Sequence, residues 1–298
     1  MEELSKRARR LAIAVEPVAG QVYFSPEAHA NYERLGFGPG PGDFAGVAAP
    51  EMASYFTSRG SVMGQVPGEL VAAAFGVFNP KTVIKGVNHG WSLTDARAIC
   101  AARDAGAVAQ LVRIVGTEPE GVERANALLA RATEKLRPEG RPLYSGMASL
   151  DLPDEPIGAV WRRADLLREY RGDSHVNAWT TAGVSACEIC LLTEPFWGLP
   201  LRSYSRTRGW TDADFDTATE HLMERGWLRK DGLTDEGWTA REGIERDTDV
   251  QCQLFIEALD DDLDELIVIL SSWGAAIREA KGYPASGPQD LADAVRRS

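Results

Sequence analysis

The sequence predicts a mainly α-helical protein with a single short β-hairpin in its C-terminal half. Along most of the 298 residues, apolar side chains recur at the three- and four-residue spacing of amphipathic helices. The signals of a hairpin occur at one place only, around Asp231-Gly232. Residues that favour helix starts (Ser, Thr, Asp, Pro) and helix ends (Gly) occur at the ends of these amphipathic segments. We therefore expect a multi-helical fold with about a dozen helices.

In the first half of the chain, each helix is predicted from a start signal and an apolar face. A basic amphipathic helix covers 2–15 and should end before Pro17. Ser25-Pro26 opens the next helix, and the glycine-rich segment 36–42 that follows should be irregular. The remaining predicted helices of this half cover 49–57, 69–78, 81–87, 94–115 and 119–136.

The second half begins after a turn-rich connector at 137–142, and we predict two domains, 1–145 and 146–298. A helix containing Trp161 and Tyr170 should break at 171–174 (Arg-Gly-Asp-Ser). Predicted helices then cover 175–192, 236–259, 266–280 and 289–296.

The segment between 206 and 248 has the most specific pattern. Thr211 is a good N-cap for an amphipathic helix, and Gly226 stands where the end of that helix needs positive φ. Asp231-Gly232 then predicts a two-stranded hairpin, and Thr234 caps a further helix. Helix, hairpin and helix in this order form the second half of a winged helix.

Composition indicates an ordinary soluble globular protein, with 44% hydrophobic and 26% charged residues. No apolar run approaches the roughly 18 residues of a membrane span, so we expect a cytoplasmic protein. The net charge is −12, from 32 basic and 44 acidic residues. A strongly acidic chain opposes nucleic-acid binding unless its cations are concentrated on one face.

The same objection applies to the helix capped by Thr211. It would be the recognition helix of the winged helix and would enter the major groove of DNA. Its carboxylates would face the phosphates with a single compensating cation, Arg225. These acidic residues are Asp212, Asp214, Asp216, Glu220 and Glu224. Contacts to the DNA backbone would have to come from cations nearby, which otherwise pair with neighbouring carboxylates. The candidates for DNA binding are Arg202, Arg206, Arg208, Arg229 and Lys230.

Two cysteines form one C-x-x-C pair, Cys187 and Cys190, inside a predicted buried helix. A zinc site needs about four ligands, and neither a second C-x-x-C nor a paired-histidine motif accompanies this one. We interpret both cysteines as packing residues. We expect no metal ion and no cofactor, because no nucleotide-binding or triad motif is present either.

The candidate for acid–base chemistry is His175, with Asp173, at the expected break between two apolar helices. Asp173 would cap the second helix and place His175 near its first turn, where the helix dipole lowers the pKa of a histidine. A neutral imidazole there could act as acid or base, or hydrogen-bond a ligand. The alternative is an internal network of Arg171, Asp173 and His175 that holds the helix junction.

A ligand pocket is predicted where buried helices of the first half end beside glycine-rich breaks. Arg59 is the strongest candidate, because an arginine between apolar helices must find an anion or a carboxylate. The other candidate ligand-binding residues are Phe56, Phe75, Phe78, Asn79, His89, Trp91 and Arg171. Taken one at a time, the aromatic residues also fit an ordinary core.

An ordered set of motifs resembles a known family over most of the chain. They include Tyr55-Phe56-x-x-Arg59, Phe78-Asn79-Pro80, Arg171-Gly-Asp-x-His175, Thr207-Arg-Gly-Trp210 and Arg225-Gly-Trp-Leu228. The sequence is similar to actinobacterial helix-turn-helix proteins of comparable length, of MarR-like winged-helix type. The resemblance implies the fold more firmly than an activity.

Two functions remain open at this point. The first is binding of a small organic molecule between the two halves, for sequestration, sensing or a cofactor-independent reaction with His175 as acid or base. The second is transcriptional regulation, in which the winged helix contacts operator DNA. A regulator should be a two-fold homodimer with an arginine-lined face, whereas a binding protein or enzyme should enclose an aromatic pocket containing Arg59 or His175.

Overall fold

The computed structural model describes residues 2–297 and is mainly α-helical, as predicted. The helices of the first half are α1 Glu2–Gly20, α2 Pro26–Arg34, α3 Met52–Gly60, α4 Gly68–Phe75, α5 Pro80–Leu93, α6 Ala96–Val115, α7 Val122–Thr133 and α8 Pro142–Ala148. Those of the second half are α9 Pro156–Thr181, α10 Ala186–Phe196, α11 Asp212–Glu224, α12 Asp235–Gln251, α13 Gln253–Leu259, α14 Leu263–Glu279 and α15 Pro288–Arg297. The strands are β1 Asp43–Phe44, β2 Val47–Ala48, β3 Leu228–Arg229 and β4 Gly232–Leu233, paired antiparallel as β1–β2 and β3–β4.

The larger apolar core is built around α9, which packs against α1, α6, α7, α8 and α12. Trp161 and Tyr170 of this helix are almost completely buried. The indole Nε1 of Trp161 donates to the carbonyl oxygen of Ala19 at 3.1 Å, so its one polar group is satisfied. The core includes α1 from one end of the chain and α14 from the other, packed against each other.

A second, smaller core belongs to the winged helix. It joins the end of α9, α10, α11, the β3–β4 hairpin and the middle of α12. Phe215 and Leu222 of α11 are completely buried against Leu192 of α10, and Ile244 of α12 closes the cluster. Helices α10 and α11 pack against each other in this core, and the β3–β4 hairpin that follows α11 forms the wing.

The local signals of the winged helix have the expected effect. Thr211 accepts a hydrogen bond from the Asp214 amide, and the Asp214 carboxylate accepts one from the Thr211 amide, which forms a capping box. Gly226 follows α11 with φ of 73°, and Thr234 caps α12 by accepting from the Gly237 amide. The predicted helix, hairpin and helix are all confirmed.

The expected helix break at 171–174 is wrong, because α9 continues through it. The hydroxyl of Ser174 donates to the carbonyl oxygen of Tyr170 at 2.7 Å and so stays within the helix. Asp173 does not cap a helix of its own. Its Oδ2 accepts from the Tyr144 amide at 3.0 Å, which satisfies a free N–H in the first turn of α8. Burial on several sides holds residues with poor helix propensity in one long helix.

Other predicted elements also differ from the structure. The predicted helix 175–192 is divided between the end of α9 and α10. Helix α1 continues through Pro17, whose ring packs closely on Gly274 of α14. Helix α5 extends to Leu93 rather than ending at 87, and the predicted helix 236–259 is two helices, α12 and α13. The β1–β2 hairpin was not predicted; its two-residue turn, Ala45-Gly46, has positive φ at both positions.

Among residues 2–297, no helix is long and apolar enough to cross a lipid bilayer. The division into domains at 145 stays a prediction.

Candidate functional site

A cavity of about 330 Å³ lies where the larger core meets the winged helix. Its walls come from α1, α3, α4 and α9 on one side, and from α10, α12 and the segment between α10 and α11 on the other. Aromatic rings form much of the lining, namely those of Tyr55, Phe75, Phe78, Trp197, Tyr204 and Phe255. The volume is within the range of small-molecule sites, at its lower end.

Charged groups also line this cavity, and positive charge is in excess. Five arginines face three glutamates in the lining. The arginines are Arg59, Arg168, Arg171, Arg208 and Arg241, and the glutamates are Glu16, Glu169 and Glu245. Which arginine is free to meet a ligand therefore depends on how these groups pair.

Arg59 is paired within the protein. Its Nε and Nη2 each donate to an oxygen of Glu169 at 2.8 Å, the two-pronged geometry in which arginine binds carboxylates most strongly. Arg168 Nη1 also donates to Glu169, at 2.6 Å. Burial raises the pKa of the Glu169 carboxyl, but the attraction of Arg59 and Arg168 outweighs it and brings the pKa down to about 2. The predicted need of Arg59 for an anion is met by a residue 110 positions away.

A second group of charges, between α9 and α12, is satisfied in the same way. Arg171 Nη2 donates to Glu245 and, at 3.0 Å, to Asp249. Arg241 donates to Glu245 at 2.7 Å. Burial opposes ionisation of Glu245, but Arg171 and Arg241 hold its pKa well below the ordinary value.

Arg208 is the exception among these arginines. Within residues 2–297, no carboxylate lies within ion-pairing distance of its guanidinium. It donates one hydrogen bond to the Tyr204 hydroxyl and lies 4.6 Å from the ring centroids of both Tyr204 and Phe78. The residue is half-buried and lines the cavity. A cation in such a place favours an anion supplied from outside the protein.

His175 also lines the cavity, but at the twentieth position of the 26-residue α9 rather than in a first turn. The expected effect of a helix N-terminus on its pKa is therefore wrong. Burial, reinforced by the positive charges of Arg241 and Arg171, lowers the pKa of its imidazole to about 3. The ring is neutral at physiological pH.

The hydrogen bonds of His175 define its tautomer. Its Nδ1 lies 3.0 Å from Thr248 Oγ1, and this hydroxyl donates its single proton to the carbonyl oxygen of Ile244 at 2.8 Å. Thr248 can then only accept from the ring, so Nδ1 carries the proton. The lone pair of Nε2 remains available as a hydrogen-bond acceptor.

Asp173 does not line the cavity, although it was paired with His175 in the sequence analysis. Its carboxylate is buried against α8, where burial raises the pKa to about 7 despite the hydrogen bond from the Tyr144 amide. Asp173 therefore joins α9 to α8 and is not placed to act with His175.

The other predicted ligand-binding residues are divided between the cavity and the surrounding structure. Phe75, Phe78 and Arg171 line the cavity, whereas four residues do not: Phe56, Asn79, His89 and Trp91. Phe56 is completely buried and packs on Phe78 at a centroid distance of 5.2 Å. Asn79 caps α5, Trp91 donates to the Val66 carbonyl oxygen, and His89 is exposed on α5.

Sequence reasoning missed several lining residues, above all Tyr204, Trp197 and Arg241, and it considered Arg208 only as a DNA contact. Three of the four lie between α10 and α11, in a segment whose one helical element is the short 3₁₀ helix Tyr204–Arg208. The available signal was the aromatic and basic content of that segment, since Trp197, Tyr204, Arg206 and Arg208 occur within twelve residues.

The cations proposed for DNA contacts are mostly paired on the surface. Arg202 pairs with Asp216 at 2.7 Å, and Arg206 with Asp212 at 2.8 Å. Arg229 of the wing pairs with Asp231 at 2.8 Å, while Lys230 beside it is exposed. The exposed face of α11 carries the acidic residues Asp212, Asp216, Glu220 and Glu224.

The C-x-x-C pair lies in α10 with both thiols buried. Cys190 Sγ donates to the Val77 carbonyl oxygen at 3.5 Å, and Cys187 Sγ to that of Asp214 at 3.7 Å. Burial raises the pKa of each thiol to about 12. Within residues 2–297, no group of three or more His, Cys, Asp and Glu side chains could hold a metal ion.

Comparison with known protein families identifies the family of this chain. A model described as a helix-turn-helix family matches residues 8–284. The chain belongs to this family. No protein of curated function and no solved structure matches it. The match includes both the larger core and the winged helix.

Proposed function

We propose that this helix-turn-helix protein binds a small organic molecule in the cavity between its core and its winged helix. The observation that carries the proposal is Arg208, a guanidinium in an aromatic-walled cavity with no carboxylate partner among the described residues. Aromatic walls with a few oriented polar groups are typical of small-molecule sites.

The position of the cavity favours sensing over simple storage. The segment 77–79 of the core contacts the winged helix through two backbone groups. The Asn79 amide donates to the Arg208 carbonyl oxygen at 2.9 Å, and Trp210 Nε1 donates to the Val77 carbonyl oxygen at 3.0 Å. A molecule held by Arg208 and Phe78 would touch both sides of this contact. Its binding would therefore bias the position of α10 and α11 relative to the core.

A cofactor-independent reaction with His175 as acid or base has less support than binding. An imidazole with a pKa of about 3 is a weak base and does not hold a proton to donate near pH 7. The better role for His175 is that of a neutral hydrogen-bond acceptor.

DNA binding is a second candidate, and family membership together with the α10–α11 pair and its wing supports it. The charge distribution opposes it, since the exposed face of α11 is acidic and the nearby arginines are paired. A MarR-like mode of action, an actinobacterial origin, a homodimer and a cytoplasmic location all stay predictions.

A thermal-shift screen against a metabolite panel containing organic acids, amines and neutral compounds tests the proposed binding. Occupancy raises the melting temperature, because a ligand that binds only the folded state stabilises it. Arg208→Met should abolish the shift given by the best compound. Arg206→Met, two positions away and outside the cavity lining, should leave it unchanged. If no compound stabilises the wild-type protein, the proposal fails.

Fluorescence anisotropy with labelled duplexes, titrated with salt, tests the second candidate. We expect weak, sequence-independent retention that disappears near physiological ionic strength, about 150 mM. Replacing Asp216 and Glu220 by their amides should then strengthen binding, because it removes repulsion from phosphates. Tight, sequence-selective binding by the wild-type chain at that salt would show that the acidic face does not prevent DNA recognition.

A further inference from the structure

We infer that the ligand of this cavity is a planar aromatic acid carrying one negative charge at one end and a hydrogen-bond donor away from it. The acid would bind Arg208 and the donor would bind Nε2 of His175. This inference rests on the proposed small-molecule function and names the class of ligand.

The single negative charge follows from the pairing of the five arginines. The other four each have a carboxylate partner. Arg59 and Arg168 contact Glu169, and Arg171 and Arg241 contact Glu245, while Arg168 also lies near Glu16 and Arg171 near Asp249. Among the described residues of the lining, Arg208 is the one arginine without a carboxylate partner. One free guanidinium matches one carboxylate, whereas a dianion such as a phosphate monoester would leave charge unmatched.

The planar shape follows from the surroundings of Arg208. Its guanidinium lies against the rings of Phe78 and Tyr204, each with the centroid 4.6 Å away. The rings pack beside the guanidinium, and its N–H groups that do not donate to the Tyr204 hydroxyl suit a planar carboxylate. The rings of Tyr55 and Phe75 supply further flat apolar wall.

The donor follows from the tautomer of His175. Because Thr248 uses its proton on Ile244, the ring must donate from Nδ1 and can only accept at Nε2. Among the described residues, no side chain donates to this Nε2. A ligand with a hydroxyl or amino group would satisfy the lone pair, whereas an ether or a bare C–H would leave it without a partner.

Isothermal titration of the full chain with three naphthalene probes tests the inference. The probes are 6-hydroxy-2-naphthoate, its neutral isostere 6-hydroxy-2-naphthamide, and 2-naphthoate, which lacks the hydroxyl. We expect the hydroxy acid to bind about tenfold or more tightly than the amide, because of these two only the acid forms an ion pair with the guanidinium. It should bind roughly three- to tenfold more tightly than 2-naphthoate, the usual value of one hydrogen bond.

Two substitutions assign these preferences to residues. Arg208→Met should remove the preference for acid over amide and keep that for the hydroxyl. His175→Phe should remove the preference for the hydroxyl and keep that for acid over amide. Arg206→Met should keep both preferences. If either cavity variant fails to fold, as judged by circular dichroism, the probe series on the wild-type protein decides alone.

Each remaining outcome counts against the inference. If the amide binds as tightly as the hydroxy acid or more tightly, the ligand does not need a negative charge. If 2-naphthoate binds as tightly as the hydroxy acid, the ligand does not need a hydrogen-bond donor. If no naphthalene probe binds but another compound from the metabolite panel does, the ligand class is wrong and the proposed function stands. If nothing from either set binds, both fail.

Discussion

The paired carboxylate of Glu169 should make a large contribution to stability, and Glu169→Gln measures it. Glu169 is 1% exposed and lies between Arg59 and Arg168, whose side chains are 12% and 15% exposed. Glutamine has nearly the same shape as glutamate but is neutral. The two buried guanidiniums would then lose the negative charge that they share. Removing one partner of such a pair costs about 3–5 kcal/mol, a large part of the roughly 5–15 kcal/mol that stabilises an ordinary protein.

Urea unfolding followed by circular dichroism near pH 7.5 would measure the loss. The matched control is Glu242→Gln, since Glu242 pairs with Arg9 but is 38% exposed. Its cost should stay below about 1 kcal/mol, because water screens exposed pairs. A Glu169→Gln cost no larger than that of the control would refute the view that the pair is desolvated.

The pH dependence of the same variant gives an independent check. The pKa of Glu169 is about 2 in the folded protein, below the value of about 4.3 for an unfolded chain. The stabilisation is therefore fully present above about pH 4.3 and is lost as the pH falls toward 2. The difference between wild type and Glu169→Gln should shrink over that interval, and a constant difference would contradict the assignment.

Three further predictions concern other groups, of which Cys190 lines the cavity. The pKa of Asp173 is about 7 in the folded protein, above its unfolded value of about 3.9, so its contribution to stability falls as the pH rises through that interval. Urea midpoints at pH 5 and pH 8 should therefore show a smaller loss of stability with rising pH for Asp173→Asn than for the wild type. An equal loss in both proteins would contradict the raised pKa. Gly106→Ala should lower the melting temperature in a thermal scan, because its Cβ would lie 2.3 Å from the Cα of Ala28, a clash worth about 1–3 kcal/mol or more; an unchanged melting temperature would show that α2 and α6 can separate. Cys187 and Cys190 should not react with an aromatic disulfide reagent at pH 8 until the protein is unfolded, since burial raises the pKa of both thiols to about 12; rapid reaction in the native state would show that α10 opens.

The winged helix was predictable because its determinants act over a few residues. The capping box of Thr211 and the positive φ of Gly226 each involve neighbours within one turn of chain. The two-residue hairpin and the cap of α12 at Thr234 are equally local. Such features are similar in many folds, so their sequence signals are dependable.

Helix α9 shows where local signals fail. Gly172, Asp173 and Ser174 in succession indicate a break, but all three lie inside a helix buried among five others. Packing stabilises that helix by more than the modest helix propensities of three residues can oppose. The same error placed His175 in a first turn and assigned its low pKa to a dipole, when burial is the main cause.

By itself, the sequence determined the helical class, the wing and the acidic exposed face of α11, since each depends on residues close together in the chain. Only the tertiary structure decided which arginines are neutralised. Arg59 meets Glu169 across 110 positions, whereas Arg208 meets aromatic rings and, among residues 2–297, no carboxylate. The free energy of a buried charge depends on what lies within a few ångströms, and chain folding alone brings distant residues to that range.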